Sequence, residues 1–322
     1  MSATAQAHVS HAATHPPVPG NGHRPIFRDP ASPWRRFGGS RGPRTAFVLS
    51  GGASLGALQV GMLRALYEQD IVPDLLVGAS AGALNAAFVA SRPQTVETAD
   101  ELAAIWHGLR REDVFPVGLR VLIAGLTSRN DHLVPDDGLR LLARQHLQID
   151  RLEQAFVPVH LVTFDLIGGE EVLLSSGPVI DALLAAVAIP GILPAVRWGE
   201  RRLVDGGVVN NTPISHAVEL GAERVYVLPT QDGSRALTKP RRGALDAAIH
   251  GIALLIDSQL RADIARYSSR VELIVLPAPN PRHVLPTDFR QSRSLIGDAL
   301  AATRSFLSTT GFTEPVLADS RL

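Results

Sequence analysis

The chain has 322 residues, and its 31 Lys and Arg balance its 31 Asp and Glu, so its formal charge is zero with histidine neutral. That balance lacks the basic footprint nucleic-acid binding requires, and no nucleic-acid partner is expected. The absence of cysteine excludes disulfides, thiolate metal sites and a cysteine nucleophile.

Residues 1–43 hold Pro16, Pro17, Pro19, Pro25, Pro30 and Pro33 without periodicity, which predicts a disordered leader. No compact apolar run follows a basic start, so an ordinary signal peptide is not expected. His8, His11, His15 and His23 are read as solvated, not as a metal site. Residues 45–63 and 75–91 carry no charge, but Gly, Ser, Gln and Asn interrupt both. They read as strand, turn and helix, not as spanning helices. A soluble, cytoplasmic protein is expected, touching a membrane surface transiently at most.

Thr45–Ser50 is a short apolar run ending in glycines, the pattern of a strand buried on both faces. From Ala57 the period lengthens: Leu58, Met62 and Leu66 define a helix. Leu75–Val77 predicts a second strand, and Ala81–Ser91 a second helix stopped before Pro93. Further strands are expected at Val159–Phe164, Val172–Leu174, Arg202–Val204, Arg224–Leu228 and Val271–Leu276. Helices are expected at Val96–Leu109, Asp137–His146, Val179–Ala188, Ile214–Leu220, Ala244–Tyr267 and Ser292–Leu307. This succession predicts a three-layer α/β/α sandwich around a mainly parallel sheet. The expected divisions are the leader, a catalytic domain over 44–230, and a helix-strand-helix extension over 231–322 packed on the same domain. Thr230–Gly243 is the linker.

The strongest chemical signal is Gly78-Ala79-Ser80-Ala81-Gly82, a G-x-S-x-G between a strand and a helix. Such a turn tolerates only small flanking residues and presents Ser80 at the carboxyl end of the sheet. The helix N-terminus there favours developing negative charge. The second signal is Ser50-Gly51-Gly52-Ala53-Ser54-Leu55-Gly56. Its backbone N–H groups suit an anion, either a dinucleotide phosphate or the oxyanion of acyl chemistry at Ser80. Ala53 weakens the dinucleotide fingerprint, and no Walker lysine follows. Asp205-Gly206-Gly207 supplies a candidate base, although Asp-Gly is also a common turn pair. A triad would need a later histidine; of His216, His250 and His283, the loop residue His283 suits it best, and His160 reads as structural.

These segments resemble the bacterial patatin-like phospholipases. The likeness runs from Thr45 to about Pro229. It rests on Ser50–Gly56 with the helix after it, on Gly78–Gly82, on Ala185–Pro194, and on Leu203–Pro213 leading to Ala217–Ala222. The resemblance implies a Ser-Asp dyad, with Ser80 as nucleophile and Asp205 as base. It implies an oxyanion hole at the N–H groups of Gly51, Gly52 and Ala53, with Gly56, Gly78, Gly82, Gly206 and Gly207 as motif glycines. It further implies cleavage of acyl esters through an acyl-serine, with an acyl lipid as partner and neither metal nor cofactor. The chain departs from the family at Ala53, where a third glycine is common, and at Leu55, where a basic residue is common. The same-class alternative is a Ser-His-Asp esterase using His283; the different-class alternative is a non-catalytic lipid- or nucleotide-binding protein. The apolar insert Phe115–Leu126 reads equally as a lid or a core helix. The apolar positions Ile249, Ile252, Leu255 and Ile256 read as core or a dimer face.

Overall fold

The computed structural model describes residues 42–115, 132–231, 244–279 and 287–309. The leader, the insert at 116–126, most of the linker and His283 lie outside the described residues.

Strand β1 (Thr45–Leu49) is buried at every position. Phe47 and Leu49 join one core, and Ala46 and Val48 the other. Alternation sends successive side chains to opposite faces, so a strand apolar throughout belongs in a sheet covered on both sides. The larger core is closed by helices α1 (Ala57–Tyr67), α2 (Ala81–Ala90), α3 (Val96–Gly108), α6 (Val179–Val187) and α9 (Ser292–Thr309). The short helix α4 (Arg111–Val114) and α5 (Asp137–His146) lie at its margin. The smaller core lies under α7 (Ile214–Glu219) and α8 (Ala244–Tyr267), through Ile214, Ala217, Leu260 and Tyr267.

The sheet comprises β1, β2 (Leu75–Ala79), β3 (Val159–Asp165), β4 (Glu170–Leu174), β5 (Val196–Trp198), β6 (Arg201–Asp205), β7 (Arg224–Leu228) and β8 (Glu272–Val275). Its order is β5-β6-β3-β2-β1-β7-β8, with β4 paired to β3. Strands β3, β2, β1, β7 and β8 run parallel, while β4, β5 and β6 form an antiparallel margin. The fold is the expected α/β/α sandwich. Two short elements escape the sequence patterns: α4, and the edge strand β5 between Pro194 and Gly199. Ile252 and Leu255 of α8 are exposed rather than core.

One feature of the register positions the site. β4 lies along β3 from Leu161 to Asp165, occupying one edge throughout. β2 pairs β3 from Val159 to Val162, and β6 pairs it from Thr163 to Asp165. Both must therefore use the other edge. β2 ascends it and ends with Ala79 opposite Val162; β6 descends it and ends with Asp205 opposite Thr163. The two strands meet end to end, and the next rung above β2 is already filled. The chain has to leave the sheet at Ser80.

Candidate active site

Ser80 makes that departure at φ 52° and ψ −125°, in the left-handed half of backbone space that a residue with a Cβ rarely occupies. The turn is tight on both sides. A Cβ on Gly78 would lie 2.6 Å from the Gly82 carbonyl oxygen, and one on Gly82 would strike the Leu49 carbonyl. Ser80 is thereby held at the N-terminus of α2, whose first N–H groups have no acceptor within the helix.

Asp205 meets it from β6. The Ser80 hydroxyl faces the Asp205 carboxylate and favours its ionised form, and the Gly207 N–H donates to Asp205 Oδ1 at 2.8 Å. Burial of the carboxylate pushes its pKa up to about 6, and these two neighbours offset only part of that. Gly206 has to be small because an added Cβ would lie 2.6 Å from the Val162 backbone.

The glycine turn follows β1, which is adjacent to β2 with Leu49 level with Gly78. Gly51 does not present its N–H to the cleft: it donates to the Asn211 carbonyl at 3.0 Å. The Asn211 Nδ2 and Thr230 Oγ1 groups in turn donate to the Gly51 carbonyl, at 3.2 and 2.5 Å. The expected set of three anion-binding donors is thus reduced to Gly52 and Ala53, whose N–H groups have no acceptor among the described residues. Ala53 sits at φ 50°, in left-handed space despite its Cβ. An added Cβ on Gly52 would lie 2.6 Å from the Thr230 Cβ, so this position is closed to larger residues. Gly56 is similarly close to Ala81 and Trp106, each 3.0 Å from an added Cβ.

A buried polar chain braces this turn. Trp106 Nε1 donates to Asn85 Oδ1 at 2.9 Å, and Asn85 Nδ2 donates to Gln59 Oε1 at 2.8 Å. Gln59 Nε2 then donates to the carbonyls of Ser50 at 2.7 Å and Leu228 at 3.0 Å. The chain ties α3, α2 and α1 to the ends of β1 and β7. Sequence reasoning did not assign Gln59, Asn85, Trp106, Asn211 or Thr230 to the site. A signal existed for two of them: Gln59 and Asn85 interrupt apolar runs in their helices, and buried polar groups need partners.

Ser80 and Ala53 open onto an apolar cleft. Its walls come from α2, α3, α5 and α6, with Leu84, Phe88, Leu102, Leu183 and Leu193 prominent, and its polar lining beyond Ser80 is Asn85, Trp106 and His146. Phe289 stacks on Trp106 at a centroid distance of 6.1 Å and leans on Phe115, closing one side.

Among the described residues no histidine hydrogen-bonds Ser80 or Asp205. His216 binds Glu171 through Nε2 at 2.9 Å, and His160 binds Ser175 at 2.7 Å. Burial would lower the His216 pKa, but the Glu171 and Glu219 carboxylates outweigh it and raise the value to about 9. Burial, then the charge of His216, drives His160 down to about 4. No cluster of three or more His, Asp or Glu side chains among the described residues is arranged to hold a metal ion. None of their helices is long and apolar enough to cross a membrane.

A serine on a strained strand-to-helix turn thus faces a buried carboxylate beside an apolar cleft in an α/β fold. The chain belongs to the patatin-like phospholipase family, whose profile matches residues 47–218. An NTE family protein of Mycobacterium tuberculosis is 32% identical over 183 residues, 53% of this chain and 28% of that protein. Another, from Mycobacterium bovis, is 27% identical over 209 residues, covering 64% of this chain and 54% of the relative. The lysophospholipase NTE1 of Mycosarcoma maydis is 25% identical over 207 residues, 62% of this chain and 10% of its own length. The chain therefore spans well under two thirds of these curated relatives. VipD from Legionella pneumophila aligns in structure at 14% identity and a TM-score of 0.43, over 83% of this chain and 67% of that one.

Proposed function

We propose that the protein is a serine hydrolase of acyl lipids that works through Ser80 and Asp205 without a histidine. The observation carrying this reading is the juxtaposition of Ser80 with the buried Asp205 carboxylate at the edge of an apolar cleft. Ser80 Oγ attacks the ester carbonyl carbon while Asp205 accepts the hydroxyl proton. The carbonyl oxygen, now an oxyanion, receives the N–H groups of Gly52 and Ala53. Donors of this kind are worth about 3–4 kcal/mol each at the transition state. Collapse breaks the ester C–O bond, and Asp205 returns its proton to the departing alcohol. Water then attacks the acyl-Ser80 and loses a proton to Asp205; the bond from the acyl carbon to Ser80 Oγ breaks, Asp205 returns the proton to that oxygen, and the fatty acid leaves. A free aspartate near pKa 4 is a weak base; one held near 6 is a better proton acceptor and still ionised at neutral pH.

The cleft supports an acyl chain, because its walls offer aliphatic and aromatic surface and almost no hydrogen-bonding groups. Leu55 stands on the glycine turn where the family often places a cation, so the reading favours acyl-chain recognition over headgroup charge at that point. The test is a fluorophosphonate probe read by intact mass. One adduct on the wild type, absent from Ser80→Ala and from Asp205→Asn, is the expected result. An unlabelled folded wild type, with and without detergent, would sink the reading.

A further inference from the structure

We propose that the Gly251–Ile256 stretch of α8 is a membrane-docking face that sets the catalytic rim against a lipid surface. The choice of a lipid as occupant rests on the acyl-hydrolase reading above; the face itself does not.

Helix α8 leads into β8, which runs parallel to β7, so α8 descends against the strand direction. Its 24 residues span about 36 Å at 1.5 Å each. The five residues of β7 span only about 17 Å. Packing on the smaller core begins at Leu260 and continues through Ile264 to Tyr267. The half before Leu260 thus rises beyond the carboxyl ends of the strands, the end at which Ser80 leaves the sheet. Gln259 marks the crossing: its Nε2 donates to the Val209 carbonyl at 2.5 Å, four residues after Asp205.

One stretch of that half is apolar and presents exposed side chains. Gly251-Ile-Ala-Leu-Leu-Ile256 contains no polar side chain. Ile252 is 58% exposed, Leu254 45% and Leu255 72%, and Val208 on the Asp205 turn is 54% exposed. Leu254 and Leu255 point a hundred degrees apart on a helix, so the apolar surface is broader than a single seam. Exposed apolar surface of this breadth marks a place that another surface covers. Charge in the sequence agrees: residues 232–243, which lead into α8, carry Arg235, Lys239, Arg241 and Arg242 against Asp232. Cations flanking an apolar helix complement anionic headgroups. This helix lies outside the family match at 47–218.

The test is co-flotation of the full chain with vesicles of phosphatidylcholine containing phosphatidylglycerol, comparing wild type with Ile252→Glu/Leu255→Glu. Wild type should float. The double variant should lose about tenfold or more of its vesicle-bound fraction, the order expected for two aliphatic side chains removed from lipid. Hydrolysis of a soluble short-chain ester and fluorophosphonate labelling should be unchanged, since neither side chain belongs to the cleft or the core. If the double variant melts lower, Leu255→Glu alone carries the comparison. Equal flotation of variant and wild type overturns the proposal, as does wild type that stays with the protein-only fraction. A wild-type dimer that the variant converts to monomer, without flotation, assigns the face to self-association instead. Failed labelling of wild type speaks against the hydrolase and leaves the flotation result standing.

Discussion

Gly51 and Asn211 exchange two hydrogen bonds: the Gly51 N–H donates to the Asn211 carbonyl, and Asn211 Nδ2 donates back to the Gly51 carbonyl. One residue follows β1 and the other ends the turn that begins at Asp205, so the pair fixes the glycine turn relative to Asp205. Asn211→Ala removes one of the two bonds and leaves Thr230 on the Gly51 carbonyl. Stability should fall by about 1 kcal/mol. The rate should fall further, by about tenfold to a hundredfold in kcat with KM little changed, because the cost is misplacement of reacting groups. Steady-state kinetics on a soluble ester beside a thermal melt separates the two effects.

The raised pKa of Asp205 predicts a pH profile. Only the carboxylate can take the Ser80 proton, so kcat/KM on a soluble ester should climb with pH, bend near 6, and lose about tenfold per unit below that. A plateau persisting to pH 4 would remove Asp205 from the role of base.

The same shift has a stability consequence of opposite sign to the usual carboxylate. Its folded value, about 6, lies above the ordinary 3.8, so the native state binds the proton more tightly. The stabilising contribution is complete below about pH 4 and is lost as pH rises through 6. Ionised Asp205 therefore costs the fold on the order of 3 kcal/mol at neutral pH. Asp205→Asn should be inactive yet melt higher than wild type at pH 7, with the gap closing toward pH 4.

His216 follows the same sign in a higher pH window. Its pKa of about 9 exceeds the ordinary 6.5 because Glu171 and Glu219 hold the cation despite burial. Its contribution is present in full below about 6.5 and fades as pH passes 9. Glu171→Gln should lower the His216 pKa, followed by NMR of the ring protons, and should flatten the loss of stability between pH 7 and 9. The ester-hydrolysis bend near pH 6 should not move with it.

Ala53 carries a Cβ in left-handed backbone space, a conformation that costs roughly 1 kcal/mol relative to glycine. Ala53→Gly should therefore relieve strain at a cost in unfolded-chain entropy, leaving the melting temperature within a few degrees of wild type. It should keep the hydrolytic rate within about threefold, because the N–H donor is retained. A loss of two orders of magnitude would mean that the methyl group itself positions the turn.

The helices and most strands were legible because burial writes itself into spacing. Leu58, Met62 and Leu66 can only share a face if the chain is helical, and β1 is apolar throughout because both its faces are covered. The serine turn was legible too, since Gly78 is small for a steric reason that acts within five residues, although Gly82 is small because Leu49 of β1 lies against it. The end-to-end meeting of β2 and β6 was not. It depends on a register between segments more than a hundred residues apart, and no local pattern in Arg201–Asp205 distinguishes an antiparallel strand from a parallel one. For the same reason Gly51 looked like a free donor: its acceptor, Asn211, is distant in sequence. β5 was invisible because three half-exposed residues offer no periodicity.

Trp106 lines the cleft, stacks on Phe289, and anchors the polar chain through Asn85 to the glycine turn. Its indole is thus a built-in optical gauge. A ligand that fills the cleft displaces water from one face of the ring while the Nε1–H bond stays in place, which should shift emission to the blue. The other two tryptophans are Trp34 in the leader and Trp198 on β5, so a Trp198→Phe background would isolate most of that signal. Occupancy could then be followed in real time, with no label on protein or lipid, even in a Ser80→Ala chain that never turns over.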